Sequence, residues 1–345
     1  MTLGRIAFLG SGETSLAGGR IFEALARQLP SPLRISILET PAGFELNASL
    51  VAGRVVDFLK TRLVNYQPLI DLIPARKKGT DLSPDNPEIL RPLLKANLIF
   101  MGPGSPTYTA RQLQGTLAWE ILRSRHRLGA TLVFASAATI SVGAWVLPVY
   151  EIFKAGEDVH ARPGLDFFKD FGLDLSFIPH WNNAEGGVDL DTSRCFVGME
   201  RFDLWRRMLP RENVILGLDE HSGVILDFER KACEVHGVSS VTVLHAKGAG
   251  IYPAGANCLF GELGEFTAPE PLDHGILPEV WQMVLGSQKE VPEDPPAEVM
   301  EFLKLREAAR SRRDFSESDR LREVILSLGW EVQDTREGQK VVKLP

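Results

Sequence analysis

The stretch TLVFASAATIS, residues 131–141, carries a β-branched and apolar run into Ser136, which is flanked by alanines, and then continues as a helix-compatible segment. That pattern predicts a strand turning sharply into a helix. At the carboxyl end of a parallel strand such a turn pushes the serine hydroxyl out of the sheet and offers the next backbone N–H, that of Ala137, to an oxyanion. The turn crowds the backbone and demands small neighbours, and Ala135, Ala137 and Ala138 supply them. A G-x-S-x-G pattern would place glycine where Phe134 and Ala138 stand, so the elbow is degenerate. From these residues alone, a buried serine at an alanine-rich strand end is the competing reading.

Working outward, the first half alternates short apolar runs with helical periodicity. RIAFLG precedes GGRIFEALARQL, RISILET precedes NASLVAGRVVDFLKTRL, and ANLIFMG precedes TYTARQLQGTLAWEILRS, which leads into TLVFAS. Strands separated by helix-length segments imply crossover connections, hence an α/β fold with a mostly parallel sheet covered by helices on both faces. Function in such sheets collects at the carboxyl ends of the strands, which here carry Ser11–Glu13, Glu39–Ala42, Gly102–Ser105 and Ser136. From about Leu173 the units shorten, and 214–228 and 238–255 read as strands and hairpins that extend the sheet. The acidic, proline-rich GSQKEVPEDPPAEV (286–299) reads as an exposed linker between a domain over 1–285 and a small module over 300–345. In that module Glu298–Arg312 and Glu317–Leu328 carry helical periodicity, with Ser316 as an N-cap and Gly329 as a stop, and the remainder suggests a hairpin. The apolar segment PEVWQMVLG (278–286) is expected to pack on the core or on a second copy of the chain.

The formal net charge of -7 gives no reason for broad affinity toward a nucleic-acid backbone or an anionic membrane. Cys195, Cys233 and Cys258 are too few, too scattered and odd in number for a disulfide framework or a C-x-x-C metal site, which points to a reducing cytoplasm. The first apolar run is short and ends in LGSGET, as a first strand does and a signal peptide does not. No apolar stretch approaches the roughly 20 residues of a membrane span. No metal or cofactor is expected.

A nucleophilic serine needs a base within reach and a third group to orient it. His180, in FIPHWNN, and Glu220, in LGLDEHSG, both follow apolar runs and can be presented at strand ends. His126 sits in the basic run SRHR and reads as part of a solvated helix face. In IFMGPGSPTY (99–108) a strand turns through Gly102 and Gly104, where exposed backbone N–H groups form an anion-binding concavity or simply a tight turn. G-S-G-E-T-S (10–15) with Glu39 is a weak dinucleotide-loop match, because the third glycine is missing and the acid comes late.

In this order the residues resemble the serine peptidase family of cyanophycinase and dipeptidase E, over roughly 4–255. FLGSGET and ILETPAG are similar to the family's first two strand ends, and LIFMGPGSPTYTARQL to its oxyanion loop. VFASAATIS falls where the family has G-[TW]-S-A-G-A. GLDEHSGVI matches G-x-D-E-x-[ST]-A-L, and SVTVLHAKGAGIY looks like the closing strands. The resemblance implies a glutamine amidotransferase-like, flavodoxin-like three-layer sandwich. It makes Ser136 the nucleophile, His180 the base, Glu220 the orienting acid, and the N–H groups of Ser105, in the Gly104 turn, and Ala137 the oxyanion donors. Phe134, Ala138 and Thr139 depart from the motif. WNNAEGG replaces the run holding the family's substrate-anchoring arginine, leaving Arg162, Arg194 and Arg201 to stand in for it.

The tail LKLREAARSRRDFSESDRLREVILSLGWEVQDTREGQKVVKL (303–344) resembles the C-terminal segment of cysteinyl-tRNA synthetase. The matching positions are Arg306, Ala309, Arg310, Asp314, Phe315, Asp319, Arg322, Gly329, Asp334, Thr335 and Gly338. The synthetase's nucleotide motif and zinc ligands are absent. Arg306, Arg310 and Arg313 fall at helical spacing on a shared face suited to tRNA. Residues 298–345, however, hold ten basic and ten acidic side chains, which favours a packing or docking module. The expected function is a serine-type amide hydrolase acting on a small peptide or isopeptide. The alternative is a catalytically silent relative that binds a small ligand while the tail docks to a partner or tRNA, with Phe134 blocking the strained turn.

Overall fold

The computed structural model describes residues 2–288, 295–335 and 338–343. The chain forms two compact units, Met1–Leu285 and Gly286–Pro345. In the first, β1 (Ile6–Leu9), β2 (Arg34–Leu38), β3 (Leu69–Ile73), β4 (Leu98–Met101) and β5 (Thr131–Ala135) run parallel, ordered β1-β5-β4-β2-β3. Two residue pairs, β6 (Trp145–Val146) and β7 (Arg162–Pro163), make a short antiparallel ladder. Then follow β8 (Leu175–Ile178), β9 (Val214–Leu218), β10 (Ser222–Asp227), β11 (Ala232–Gly237), β12 (Ser240–His245), β13 (Gly248–Pro253) and β14 (Asn257–Leu259).

β10, β11 and β14 extend the β1 edge antiparallel, giving the order β14-β11-β10-β1-β5-β4-β2-β3. The sheet is therefore mixed, with four parallel pairings among β1–β5 and three antiparallel pairings beyond β1. The expectation that 214–228 and 238–255 extend this sheet holds for β10 alone, because β9, β12 and β13 join β8 in a second sheet ordered β13-β12-β9-β8. Within it β8 and β9 are parallel, joined through the helix Gly198–Met208. β3 was not legible as a strand: LIDLI has a charge at its centre and is only partly buried until Ile73, as suits the sheet's edge.

Alternation along the strands divides the core in two. Ala7, Leu9, Ile35, Ile37, Phe100, Val133 and Ala135 face the helices Leu16–Ala26 and Ala48–Arg62. Ile6, Phe8, Ile99, Met101, Leu132 and Phe134 face the opposite way, where the helix Leu117–Arg127 and the second sheet cover them. Phe8 stacks on Phe177 of β8 with centroids 4.1 Å apart and on Phe134 of β5 at 5.6 Å. Phe134 thus fills the seam between the sheets instead of crowding the turn after it.

The run SRHR corrects another expectation. Its helix face is buried, with His126 0% and Arg127 1% exposed. Arg125 donates to Ala96 O from Nε and Nη2, and Arg127 reaches Asp170 and Leu272 O. His126 lies edge-on to Phe167, Phe171 and Phe228 at 5.0–5.7 Å.

In the second unit the helices Ala297–Ser311 and Phe315–Ser327 pack on a hairpin of β15 (Trp330–Thr335) and β16 (Gly338–Lys343) around Val299, Leu303, Ile325, Trp330 and Val332. The helix thus starts within the expected linker, at Ala297, and residues 289–294 of that linker lie outside the described residues. The tail's pattern residues serve this packing. Arg306 is buried and donates to Asp334 and Gln339, and Arg310 reaches Asp334 at 2.7 Å. Asp334 is held below its ordinary pKa, the hydrogen bond from Arg306 contributing most. Asp314 caps the second helix through Glu317 N. Arg306 is spent inside the module, and the exposed Arg310 is paired with Asp334.

Burial, reinforced by the Arg127 charge and opposed by a backbone contact with Gly4, lowers the His126 pKa to about 3. Below the unfolded value near 6.5 the unfolded chain binds the extra proton, so stability falls with pH across the window from about 6.5 to 3. The expected loss at pH 5 is about 2 kcal/mol relative to pH 7. Denaturant unfolding of wild type and His126→Leu at both pH values checks this: the variant loses that part of the pH dependence.

Candidate active site

Three strand ends meet at one rim, and the exit of β1 ties them together. The Leu9 carbonyl accepts from Ser136 N–H at 3.4 Å, and the Gly10 carbonyl from His180 N–H at 3.1 Å. Gly10 N–H donates to Ser222 O at 2.8 Å, and Ser11 Oγ accepts from His221 N–H at 3.1 Å. Close approach makes Gly10 obligatory, since a Cβ there would lie 2.2 Å from Asp219 O.

Ser136 ends β5 at φ 51°, ψ -117° and opens the five-residue helix Ala137–Ser141. This sharp left-handed turn costs a non-glycine residue about 1–3 kcal/mol. His180 and His221 also sit at positive φ, as do Arg194, Cys195 and Phe196, which flank His180 through Cys195 N–H to His180 O and an aromatic contact at 5.5 Å. Six of the ten non-glycine residues with positive φ among those described therefore belong to this rim or its flank, which marks it as the place where the fold stores strain.

β8 and β9 are parallel neighbours, so their carboxyl ends present His180 and Glu220 side by side. Ser136 Oγ lies 3.1 Å from His180 Nε2, and His180 Nδ1 lies 2.9 Å from Glu220 Oε1. A carboxylate only accepts, so Nδ1 carries the proton and Nε2 is left as the acceptor for the serine hydroxyl. Asn183 Nδ2 donates to the same Oε1 at 3.0 Å, and Glu220 N–H donates to Asn182 Oδ1 at 2.8 Å. Burial is the largest single influence on Glu220 and raises its pKa. The hydrogen bonds from Asn183 and His180, with the charges of His180 and His221, together outweigh it and leave the carboxyl below its ordinary value.

The Gly102–Ser105 loop lies against the helix that Ser136 opens, with Ala138 N–H 3.3 Å from Gly102 O. Gly104 adopts φ 151°, and a Cβ on it would lie 1.9 Å from Pro41 O. Ser105 N–H is already taken, donating to Pro41 O at 3.0 Å, while its side chain caps the helix Pro106–Leu113. This corrects the role expected of Ser105 as an oxyanion donor. Among the described residues the N–H groups of Gly104 and Ala137 have no acceptor.

Asn182 and Asn183 are the site residues that sequence reasoning passed over. The signal was the pair of amides two and three residues after His180, beyond Trp181. None of the three arginines stands free beside the triad: Arg194 stacks on Trp181 at 3.8 Å and donates to its carbonyl, Arg162 is exposed and donates to His160, and Arg201 is exposed on the helix Gly198–Met208. Glu39 is buried and bound to Arg76 and Ser49, which leaves no free carboxylate for a ribose. Among the described residues no group of three or more His, Cys, Asp or Glu side chains is placed to hold a metal ion, and no helix is long and apolar enough to cross a membrane.

A solved peptidase from an acI-B1 Actinobacterium superposes with a TM-score of 0.60 at 18% identity, covering 75% of this chain and 98% of that one. The two share a fold. No family model matches the chain. Curated relatives match only at the C-terminal end: cysteine–tRNA ligases from Methanosarcina mazei, 49% identical over 51 residues, and from Chlamydia trachomatis, 44% identical over 61. These matches cover 15% and 18% of this chain and span only 11% and 13% of the ligases' length.

Replacing Ser136 by glycine relieves the strained turn. Ser136→Gly is expected to raise the unfolding free energy by about 1 kcal/mol, while Ser136→Ala keeps the strain and gains nothing. Equilibrium denaturation of the three proteins reads this directly.

Proposed function

We propose that this chain is a serine-type amide hydrolase, a peptidase or isopeptidase that acts on a small peptide through an acyl-enzyme at Ser136. The observation that carries the reading is the continuous relay Ser136 Oγ, His180 Nε2, His180 Nδ1, Glu220 Oε1, with both steps at hydrogen-bond length. The fold shared with a solved peptidase supports it.

In the first half-reaction Ser136 Oγ attacks the amide carbonyl carbon as His180 Nε2 takes the hydroxyl proton. The carbonyl oxygen becomes an oxyanion facing the N–H groups of Ala137 and Gly104, and Glu220 stabilises the imidazolium. Collapse breaks the C–N bond, and the amine leaves with the proton from Nε2. Water then repeats the sequence: it gives a proton to Nε2 and attacks the acyl carbon, and the proton returns to Ser136 Oγ as the carboxylic acid departs. Neutral His180 starts each half, and Glu220, held below its ordinary pKa, remains the carboxylate that selects the working tautomer.

A fluorophosphonate probe tests the nucleophile without a known substrate. Intact-mass analysis should find one adduct on the native chain and none on Ser136→Ala or His180→Ala. Glu220→Gln should slow labelling on the order of 10²–10⁴-fold, because the amide no longer selects the Nδ1–H tautomer. An unlabelled native chain, under conditions that label an active serine hydrolase, rejects the reading.

A further inference from the structure

Cys233 and Cys258 are Cα partners on the antiparallel strands β11 and β14, with both side chains turned into the core at 0% and 5% exposure. The flanking ladder bonds, Phe260 N–H to Lys231 O at 3.1 Å and Val235 N–H to Ala256 O at 2.9 Å, lie two residues to either side. By the alternation of an antiparallel ladder the cysteines therefore form a hydrogen-bonded pair, whose Cα atoms stand about 5.5 Å apart. That Cα spacing lies inside the window of about 4.4–6.8 Å for a disulfide, and because the opposed Cβ atoms of such a pair stand about 5.5 Å apart where a disulfide needs roughly 3.5–4.5 Å, the short edge strand β14 shifts by about 1 Å as the bridge closes.

We propose that Cys233 and Cys258 are a redox modification site, closed into an intramolecular disulfide by low-molecular-weight disulfides and reopened by dithiols. Cys258 stands on the sheet's edge strand and is 5% exposed against 0% for Cys233, which makes it the attacking thiolate. β14 is a three-residue edge strand, and Cys258 stands between the exposed Asn257 and Leu259, so fraying of that edge admits the oxidant. The Cys258 thiolate attacks one sulfur of the small disulfide and expels its first thiolate. Cys233 then loses its proton and attacks Cys258 Sγ, expelling the second. The protein dithiol gives up two electrons and two protons, and the small disulfide becomes two thiols. Cys195 takes no part: burial, aided by the Glu220 charge, pushes its pKa up to about 12.

The bridge encloses 234–257, the excursion in which β12 and β13 leave the first sheet for the second. Closing it restricts the unfolded chain and ties down that crossover. The test incubates the full chain with oxidised glutathione, denatures it, alkylates it and weighs it. The expected product has lost 2 Da before alkylation and takes up one alkyl group, where the reduced chain takes up three. Trypsin cleaves at Lys247, so the two cysteines fall on separate peptides joined only by the bridge. The oxidised form should unfold about 5 °C higher, reversibly with dithiothreitol. Three alkylated cysteines, a persistent glutathione adduct, a bridge through Cys195 or between chains, or an unchanged unfolding temperature overturns the proposal.

Discussion

The stack of Phe8 on Phe177, with Phe134 against its flank, joins two sheets that hydrogen bonds alone do not unite. Ser136 hangs from one sheet, and His180 and Glu220 from the other. Three buried phenylalanines from β1, β5 and β8 thus set the separation across which Ser136 must meet His180. Each buries on the order of 150–250 Å², and interiors packed at crystal-like density yield little to small forces. The hydrogen bonds from Ser136 and His180 to successive carbonyls of Leu9 and Gly10 then set the height of both side chains on the rim.

The parallel strands β1, β2, β4 and β5 were legible because each apolar run is followed by a helix-length periodic segment. Ser136 and His180 stood out because apolar runs stop at them, but the choice of Glu220 over Asp219 and His221 came from the family resemblance, because alternation alone does not say which neighbour faces the rim. The second sheet was not legible, because period-two patterning says which face of a strand is buried and nothing about which sheet receives it. His126 was misread for a related reason. A basic run looks solvated in sequence, and only the positions of Asp170 and two backbone carbonyls reveal that its arginines have partners inside the fold. Phe134 looked like an obstruction when compared with a glycine motif, but strand alternation sends its ring into the seam, away from the turn. Ser105 lost its expected role to a carbonyl brought up by the 3₁₀ turn Thr40–Ala42, a contact no local pattern encodes.

The small unit was legible in outline through its helical periodicity and the Gly329 stop, but the expected cap Ser316 lies inside the helix Phe315–Ser327, which Asp314 caps instead. Its arginine spacing admits a tRNA-facing reading, against which the even balance of charge already favoured packing or docking. Arg306 serves Asp334 and Gln339 on the hairpin, so its spacing reflects a helix fastened to two strands.

The amides that hold Glu220 carry no net charge. A carboxylate fixed by an arginine loosens as counter-ions accumulate, whereas one fixed by Asn183 Nδ2 and by its own N–H on Asn182 relies on short-range dipoles that mobile ions screen poorly. The aim of the imidazole is consequently indifferent to ionic strength over the range in which solvent-exposed ion pairs on the same protein, such as Arg91 with Glu88, fade.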